Sequence, residues 1–201
     1  RSSSSAASDV YKRQLLYFTI RKAIPPVLIP RLYLLLILGG FQGVLGWYMV
    51  KSGLVDDPNV SQYRLTAHLG MAVFIYSLIL WTVFDLSLNY NHAIRSRIKW
   101  MSSTLTLLIF LMILSGGLVA GTRAGIPFPT WPLMGDTFIP PQIYSMNPSW
   151  LSAFEDMATI QFNHRMFAYL LTIFIVIFAI VLLGSNVPRF LKNGTTVLLF
   201  V

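Results

Sequence analysis

The chain carries MFAYLLTIFIVIFAIVLL at residues 166–183, a stretch without a single charged side chain. At ~1.5 Å per residue, an α-helix of this length crosses most of the ~30 Å hydrocarbon layer of a bilayer. In lipid, such a segment satisfies its own backbone hydrogen bonds only as a helix, unless it joins a closed barrel. The stretch therefore predicts a membrane-spanning helix.

Three more runs of the same kind precede it, at residues 32–50, 65–88 and 101–120. Hydrophobic residues make up 55% of the 201 residues and charged residues only 11%, and the mean hydropathy is +0.66. This composition excludes a soluble enzyme, a disordered chain and a disulfide scaffold. The chain has no cysteine, so it offers no thiolate to zinc or to an iron–sulfur cluster. The predicted fold is an all-α polytopic transmembrane helix bundle.

The two ends of the chain differ from its centre. Residues 1–14, RSSSSAASDVYKRQ, are polar and lack the apolar run of a signal peptide. They resemble translated adapter sequence, and we predict a non-native tail there. Residues 15–20 resemble the end of an earlier span, and residues 195–201 resemble the start of a later one. This pattern predicts an internal fragment of a longer membrane protein.

The loops between the spans alternate in charge. The net charge is +8, and segments 21–31, 89–99 and 184–192 carry most of the lysines and arginines outside the tail. The positive-inside rule places these segments on the cytoplasmic or matrix side, and places 51–64 and 121–165 on the outer side. Topology thus accounts for the basic excess, and nucleic acid is not an expected partner.

The chain has three histidines. His92 lies in a basic loop and is predicted to be a solvated residue. His68 lies about one turn into its span and His164 lies just before its own, both near the predicted outer surface. One interpretation is interfacial histidines that make interhelical hydrogen bonds. The other is axial ligands of haem iron, because ionisable groups inside a membrane are functional candidates.

An arginine accompanies each of these two histidines. Arg64 lies four residues before His68 on the same helix face, and Arg165 follows His164. Guanidinium groups there could pair with haem propionates, or could be interfacial anchors whose charge extends toward water. At the ends of other spans, Asp85 and Lys51 are most simply interfacial.

Glycines and one long loop complete the pattern. The pairs Gly39–Gly43 and Gly117–Gly121 have the GxxxG spacing that permits close helix approach, or lets a flat macrocycle lie against backbone. Residues 121–161 show no clear helical period and are rich in proline and tryptophan. A loop of this length is uncommon unless it is ordered for function. We expect it to cap the bundle from the outer side.

Five local motifs together resemble the haem A synthase family, in its mitochondrial and alphaproteobacterial type. They are FQGVLGWYMVKSGL at 41–54, VSQYRLTAHLG at 60–70, SGGLVAGTRAG at 115–125, WPLMG at 131–135 and QFNHRM at 161–166. The resemblance extends over 15–201. The absence of cysteine departs from members that carry an outer-loop cysteine pair and agrees with the type named.

The resemblance implies a parent of eight helices in two similar four-helix halves, each with a pair of histidines at a haem site. One half handles haem O and the other holds a haem b cofactor, and the reaction oxidises the C8 methyl of haem O to the formyl group of haem A. His68 matches the second histidine of the first half and His164 the first histidine of the second, so they serve different haems. The partner of each, and a catalytic acidic residue, are expected outside the chain; catalytic residues within it are unknown.

The resemblance also divides the chain. Residues 15–100 correspond to the end of helix 2 with helices 3 and 4, and residues 101–201 to helices 5 and 6 with the start of helix 7. The expected location is the bacterial plasma membrane or the mitochondrial inner membrane. Membrane lipid is an expected partner, and haem O synthase, cytochrome oxidase assembly factors and a second copy of the chain are candidate partners.

Two other functions remain open from the residues alone. A b-type membrane cytochrome that passes electrons without converting haem would use the same histidines. A transporter or assembly scaffold would fit the helices and glycines but gives the histidines no role.

Overall fold

A computed structural model describes residues 3–53, 60–87 and 94–200, and within this part of the chain the fold is helical. The helices are α1 (Ser3–Ile20), α2 (Ile29–Gly53), α3 (Gln62–Ser87), α4 (Ser96–Thr122), α5 (Ser152–Glu155), α6 (Met157–Leu183) and α7 (Arg189–Phe200), with a 3₁₀ turn at Ser149–Leu151. Four of them, α2, α3, α4 and α6, are long and apolar enough to cross a membrane. The predicted all-α polytopic bundle and its four spans are confirmed. His92 lies outside the described residues.

The spans pack in chain order, α2 on α3, α3 on α4 and α4 on α6, and α7 lies against α6. A buried cluster joins the start of α4 to the end of α6, so these two helices run antiparallel: Ile98, Met101, Leu105, Leu171, Phe178 and Leu182. Many large apolar side chains stay exposed along the spans, including Ile37 and Ile180, each 67% exposed. Such surfaces suit a lipid environment.

The helix α6 begins earlier than its apolar run. The sequence predicts a span at 166–183, whereas the helix starts at Met157. Asp156 caps it, because its carboxylate accepts hydrogen bonds from the backbone N–H (2.8 Å) and the hydroxyl (2.6 Å) of Thr159. The prediction that His164 lies just before this helix is therefore wrong. His164 lies about two turns inside it.

The long loop is shorter than predicted and contains helix. Residues 121–161 were expected to lack a helical period, but the 3₁₀ turn, α5 and the first turn of α6 occupy the end of this stretch. Each of these pieces is too short for hydrophobic periodicity to indicate it. The non-helical part lies between α4 and Ser149, and we call it the long loop (123–148).

Close approach of α3 and α4 depends on two glycines of α4. A Cβ atom at Gly117 would lie 2.7 Å from the Thr66 hydroxyl, and one at Gly121 would lie 2.5 Å from the Cα of Gln62. No side chain fits there, so the predicted role of the Gly117–Gly121 pair in close packing is confirmed. Among the described residues, Gly39 and Gly43 have no atom within 4 Å of such a Cβ, so that pair makes no close contact.

The two ends of the bundle differ. At one end, called here the long-loop end, α2 and α4 finish and α3 and α6 begin, and the long loop lies across it. At the opposite end Arg31 forms an ion pair with Asp85 at 2.6 Å and lies over the ring of Trp81 at 5.2 Å. Asp85, predicted to be merely interfacial, thus joins the start of α2 to the end of α3.

Helix α1 contains residues 15–20 as its last part, and it extends back to Ser3 through the segment predicted to be non-native. The non-native origin of residues 1–14 stays a prediction, as does the division into parts of two four-helix halves.

Candidate functional site

His68 lies on α3 and faces α2. A Cβ atom at Gly46 of α2 would lie only 3.2 Å from Cε1 of the His68 ring. The ring therefore packs closely against α2 at Gly46, and a larger residue there would require the ring or the helix to shift by a few tenths of an ångström.

A glutamine on α2 faces the same imidazole. The Gln42 amide donates to the backbone carbonyl of His68 at 3.1 Å, and its nitrogen lies 3.4 Å from Nε2 of the ring. The Nδ1 atom of His68 and the Oε1 atom of Gln42 are buried and have no hydrogen-bond partner among the described residues. Buried polar atoms without partners are costly, so this pair retains unused hydrogen-bonding capacity.

His164 lies on α6 and faces α4. Its Nδ1 is 2.7 Å from the Ser115 hydroxyl, which also bonds the carbonyl of Met112 at 2.8 Å. A Cβ atom at Gly116 would meet Cε1 of His164 at 3.5 Å, an ordinary contact. Within the described part of the chain, Nε2 of His164 has no hydrogen-bond partner.

The two histidines lie at the same end of the bundle but on different faces. Each is six or seven residues, about 10 Å, from the start of its helix at the long-loop end. Thr66 of α3 contacts α4 at Gly117, whereas His68, two positions further and about 200° around the helix, contacts α2. His68 therefore points away from α4, on which His164 packs. The structure does not bring the two imidazoles together.

The two predicted arginines have different neighbours. Arg64 lies over the ring of Tyr48 at 4.5 Å, so it belongs to the α2–α3 pair that holds His68. Arg165 donates to the backbone carbonyls of Phe128 (2.7 Å) and Leu133 (3.1 Å) in the long loop. Arg165 thus fastens the loop across α6, next to His164.

Further hydrogen bonds hold the loop in place. The Tyr144 hydroxyl donates to Asn163 at 3.0 Å, and the Tyr144 backbone N–H donates to the Thr159 hydroxyl at 3.0 Å. Both partners belong to the first two turns of α6, so the loop covers the part of the helix that carries His164. The long loop thus covers the first turns of α6 at the long-loop end, and the expected cap over the bundle from the outer side stays a prediction.

A carboxylate that the sequence did not single out joins α5 to α3. Glu155 accepts from the Gln62 amide at 2.8 Å and from the Tyr63 hydroxyl. Gln62 and Tyr63 belong to the QYR part of a quoted motif, but nothing in the sequence paired them with residue 155. Tyr63 and Phe154 also line a cavity of about 600 Å³ between α3 and α4, whose remaining lining includes Thr66 and Ser115.

These features define a multi-pass membrane protein whose spans carry two separate histidine sites near one end. No cluster of three metal-ligating side chains occurs in the described ranges, so each site offers one imidazole from this chain. Imidazole is a usual axial ligand of haem iron, whereas a zinc site takes three or four protein ligands.

The chain belongs to the Cytochrome oxidase assembly protein family (COX15-CtaA), whose profile matches residues 1–201. It is similar to "Heme A synthase" of Nitrosospira multiformis, 47% identical over 168 residues that cover 81% of the chain and 47% of the relative. The protein of that name from Parvibaculum lavamentivorans is 45% identical over 160 residues, 80% of the chain and 46% of the relative. The protein of that name from Wolbachia pipientis wMel is 37% identical over 174 residues, which cover 85% of the chain and 50% of the relative.

The resemblance predicted from the five motifs is therefore confirmed. The chain spans about half the length of the curated relatives it matches. No solved structure matches it.

Proposed function

We propose that this chain is part of a haem A synthase, a membrane oxidoreductase that oxidises the C8 methyl of haem O to the formyl group of haem A for cytochrome oxidase. The observation that carries the proposal is the similarity, at up to 47% identity, to relatives named for that activity. The two histidines inside the membrane spans support it, because each offers one imidazole to a haem iron.

The residues around each histidine fit a haem. Nε2 of His164 is without a partner in the described part of the chain, and His68 has a buried Nδ1 and a neighbouring Gln42 carbonyl oxygen that are both unpaired. We propose His68 and His164 as axial ligands of different haems, one the haem O substrate and the other a haem b cofactor. A bound haem supplies the iron redox chemistry, and the protein supplies ligands, orientation and a protected pocket.

The arginines are proposed to act at the mouths of these sites. Arg64 is held over Tyr48 beside the His68 site, where its charge can meet a propionate. Arg165 uses two of its five N–H groups on the long loop and keeps the others for an acidic group. Together they would place the propionates toward the long-loop end.

We propose that the long-loop end faces the outer side of a bacterial plasma membrane or mitochondrial inner membrane. The opposite end carries most of the basic residues of the described part of the chain: Arg21, Lys22, Arg31, Arg95, Arg97, Lys99, Arg189 and Lys192. Membrane lipid is the expected environment, and haem O synthase, cytochrome oxidase assembly factors and a second copy remain candidate partners.

The proposal is tested by expressing the complete gene that contains this chain in a host that makes haem O but lacks its own haem A synthase. Haem is extracted from the membranes and separated by chromatography, beside membranes that carry the empty vector. We expect haem A only where the gene is expressed. Haem b bound to the purified protein without any haem A would contradict the proposal and support the b-type cytochrome alternative.

A further inference from the structure

The Ser115 hydroxyl lies beside Nδ1 of His164, where it can favour one of the two neutral forms of the ring. Ser115 Oγ lies 2.8 Å from the Met112 carbonyl oxygen, 2.7 Å from His164 Nδ1 and 3.8 Å from the Met112 sulfur. A hydroxyl has one proton to donate, and a carbonyl oxygen can only accept. When Ser115 donates to Met112, its lone pair is left to accept a hydrogen bond from Nδ1–H of His164.

A neutral imidazole has one N–H, so the other nitrogen carries a lone pair. With the proton on Nδ1, the lone pair of His164 is on Nε2, the atom without a partner among the described residues. A metal-bound histidine commonly donates its other N–H to an oxygen, which fixes the tautomer and makes the ligand more basic. Ser115 and His164 already have this arrangement.

We propose that Ser115 is a positioning residue for haem iron at His164: it holds the ring and its tautomer so that Nε2 is presented to the iron. This rests on the proposed function, because it requires His164 to be a haem ligand. Ser115 belongs to a quoted family motif, but its residue type and position alone predicted no role for it.

The Ser115 hydroxyl is the feature that distinguishes the surroundings of His164 from those of His68. A Cβ atom at Gly116 would meet the same ring only at van der Waals distance, so this position has no polar group that could orient a proton. His68 differs, because its Nε2 lies near the Gln42 amide and its Nδ1 has no partner in the described part of the chain. A hydroxyl within hydrogen-bond distance of Nδ1 is thus found at His164 and, among the described residues, not at His68.

Removal of the Ser115 hydroxyl should change the midpoint potential and the retention of this haem in a predictable direction. In Ser115→Ala the Nδ1–H of His164 loses its acceptor, so the imidazole becomes a weaker donor to iron. A less basic ligand stabilises ferric iron less, and the midpoint potential of the haem at this site should rise. Loss of such an outer-shell partner typically weakens affinity by roughly 10–100-fold, so this haem should also dissociate more easily.

The test uses the full gene product, purified with its haem in detergent. Haem content is measured by pyridine haemochrome, and the midpoint potential by redox titration of the haem absorption bands. We expect Ser115→Ala to raise the potential of one haem and lower its retention, and Ser115→Thr, which keeps a hydroxyl, to resemble the natural protein. Thr106→Ala is the matched control, because Thr106 bonds only the carbonyl of Ser102 on the same helix.

Two results would separate the failures. If His164→Ala removes a haem while Ser115→Ala changes neither potential nor retention, the positioning role is overturned and the ligand assignment stands. If His164→Ala leaves haem content and spectrum unchanged, His164 is not a ligand and the proposed function loses that site. Should Ser115→Ala fail to accumulate, Ser115→Cys carries the test. The thiol of Ser115→Cys is a weaker acceptor than a hydroxyl, so this variant should have a midpoint potential between those of the natural protein and Ser115→Ala. A potential equal to that of the natural protein would overturn the positioning role of Ser115.

Discussion

At the scale of single residues, one glycine decides whether the His68 ring fits. A Cβ atom at position 46 would lie 3.2 Å from the ring, closer than ordinary contacts, whereas one at position 43 would meet nothing within 4 Å among the described residues. We expect Gly46→Ala to displace the imidazole and to lower haem A formation by on the order of tenfold, because small misplacements near a reacting group are costly. Gly43→Ala, on the same helix, should have little effect.

This comparison is measured as the ratio of haem A to haem O in membranes that contain equal amounts of each variant. Equal ratios for Gly46→Ala and Gly43→Ala would show that the contact between Gly46 and His68 has no bearing on function.

The sequence identified His68, His164, Arg64 and Arg165 but not the polar groups that face the two rings. Histidines within apolar runs stand out in any sequence. The contacts of Ser115 and Gln42 depend instead on how each helix is rotated against its neighbour. Serine is also common on membrane helices, where its hydroxyl often bonds its own backbone, so the residue type of Ser115 alone gave no signal.

At the scale of helices, the cap on α6 supports the turns that carry His164. Asp156→Ala removes the acceptor for Thr159 and leaves N–H groups at the start of α6 without a partner. We expect a loss of about 1 kcal/mol in the free energy of unfolding. Asp156→Asn should retain most of it, because asparagine caps equally well.

This difference is measured by thermal unfolding of the purified protein in one detergent, with circular dichroism as the signal for loss of helix. A melting temperature for Asp156→Ala equal to that of the natural protein would contradict the capping role. Asp156→Asn controls for the loss of charge.

Spans were predictable from the sequence, and their boundaries were not. Apolar runs identified all four, because lipid requires such runs in any membrane helix. The first turns of α6 escaped detection because Gln161, Asn163, His164 and Arg165 interrupt its apolar pattern, although they belong to the helix. The approach of Gly117 and Gly121 to α3 was predicted by their spacing, but the same spacing on α2 makes no such contact.

At the scale of the whole molecule, the distribution of charge predicts the orientation in the membrane. The chain has no cysteine, so within it a single introduced thiol reports one position. Ser145 in the long loop and Ser96 at the start of α4 are both exposed and lie at opposite ends of the bundle. In intact bacterial cells we expect a membrane-impermeant maleimide to label Ser145→Cys, and to label Ser96→Cys only after permeabilisation.

The opposite labelling pattern would invert the topology and place both histidines near the inner surface. Labelling is measured as a shift of the protein band on a gel. The protein without an introduced cysteine in this region gives the background labelling.

The central claim is that two separate histidine sites in these spans serve haem A synthesis. It is tested most directly by the haem A to haem O ratio in membranes that express the complete gene with His68→Ala, His164→Ala or His92→Ala. His92 is the matched control, since the sequence predicts a solvated loop position for it. We expect haem A to fall at least tenfold in the first two variants and to be unchanged in the third. Undiminished haem A in His68→Ala and His164→Ala, with normal protein levels, would contradict the account.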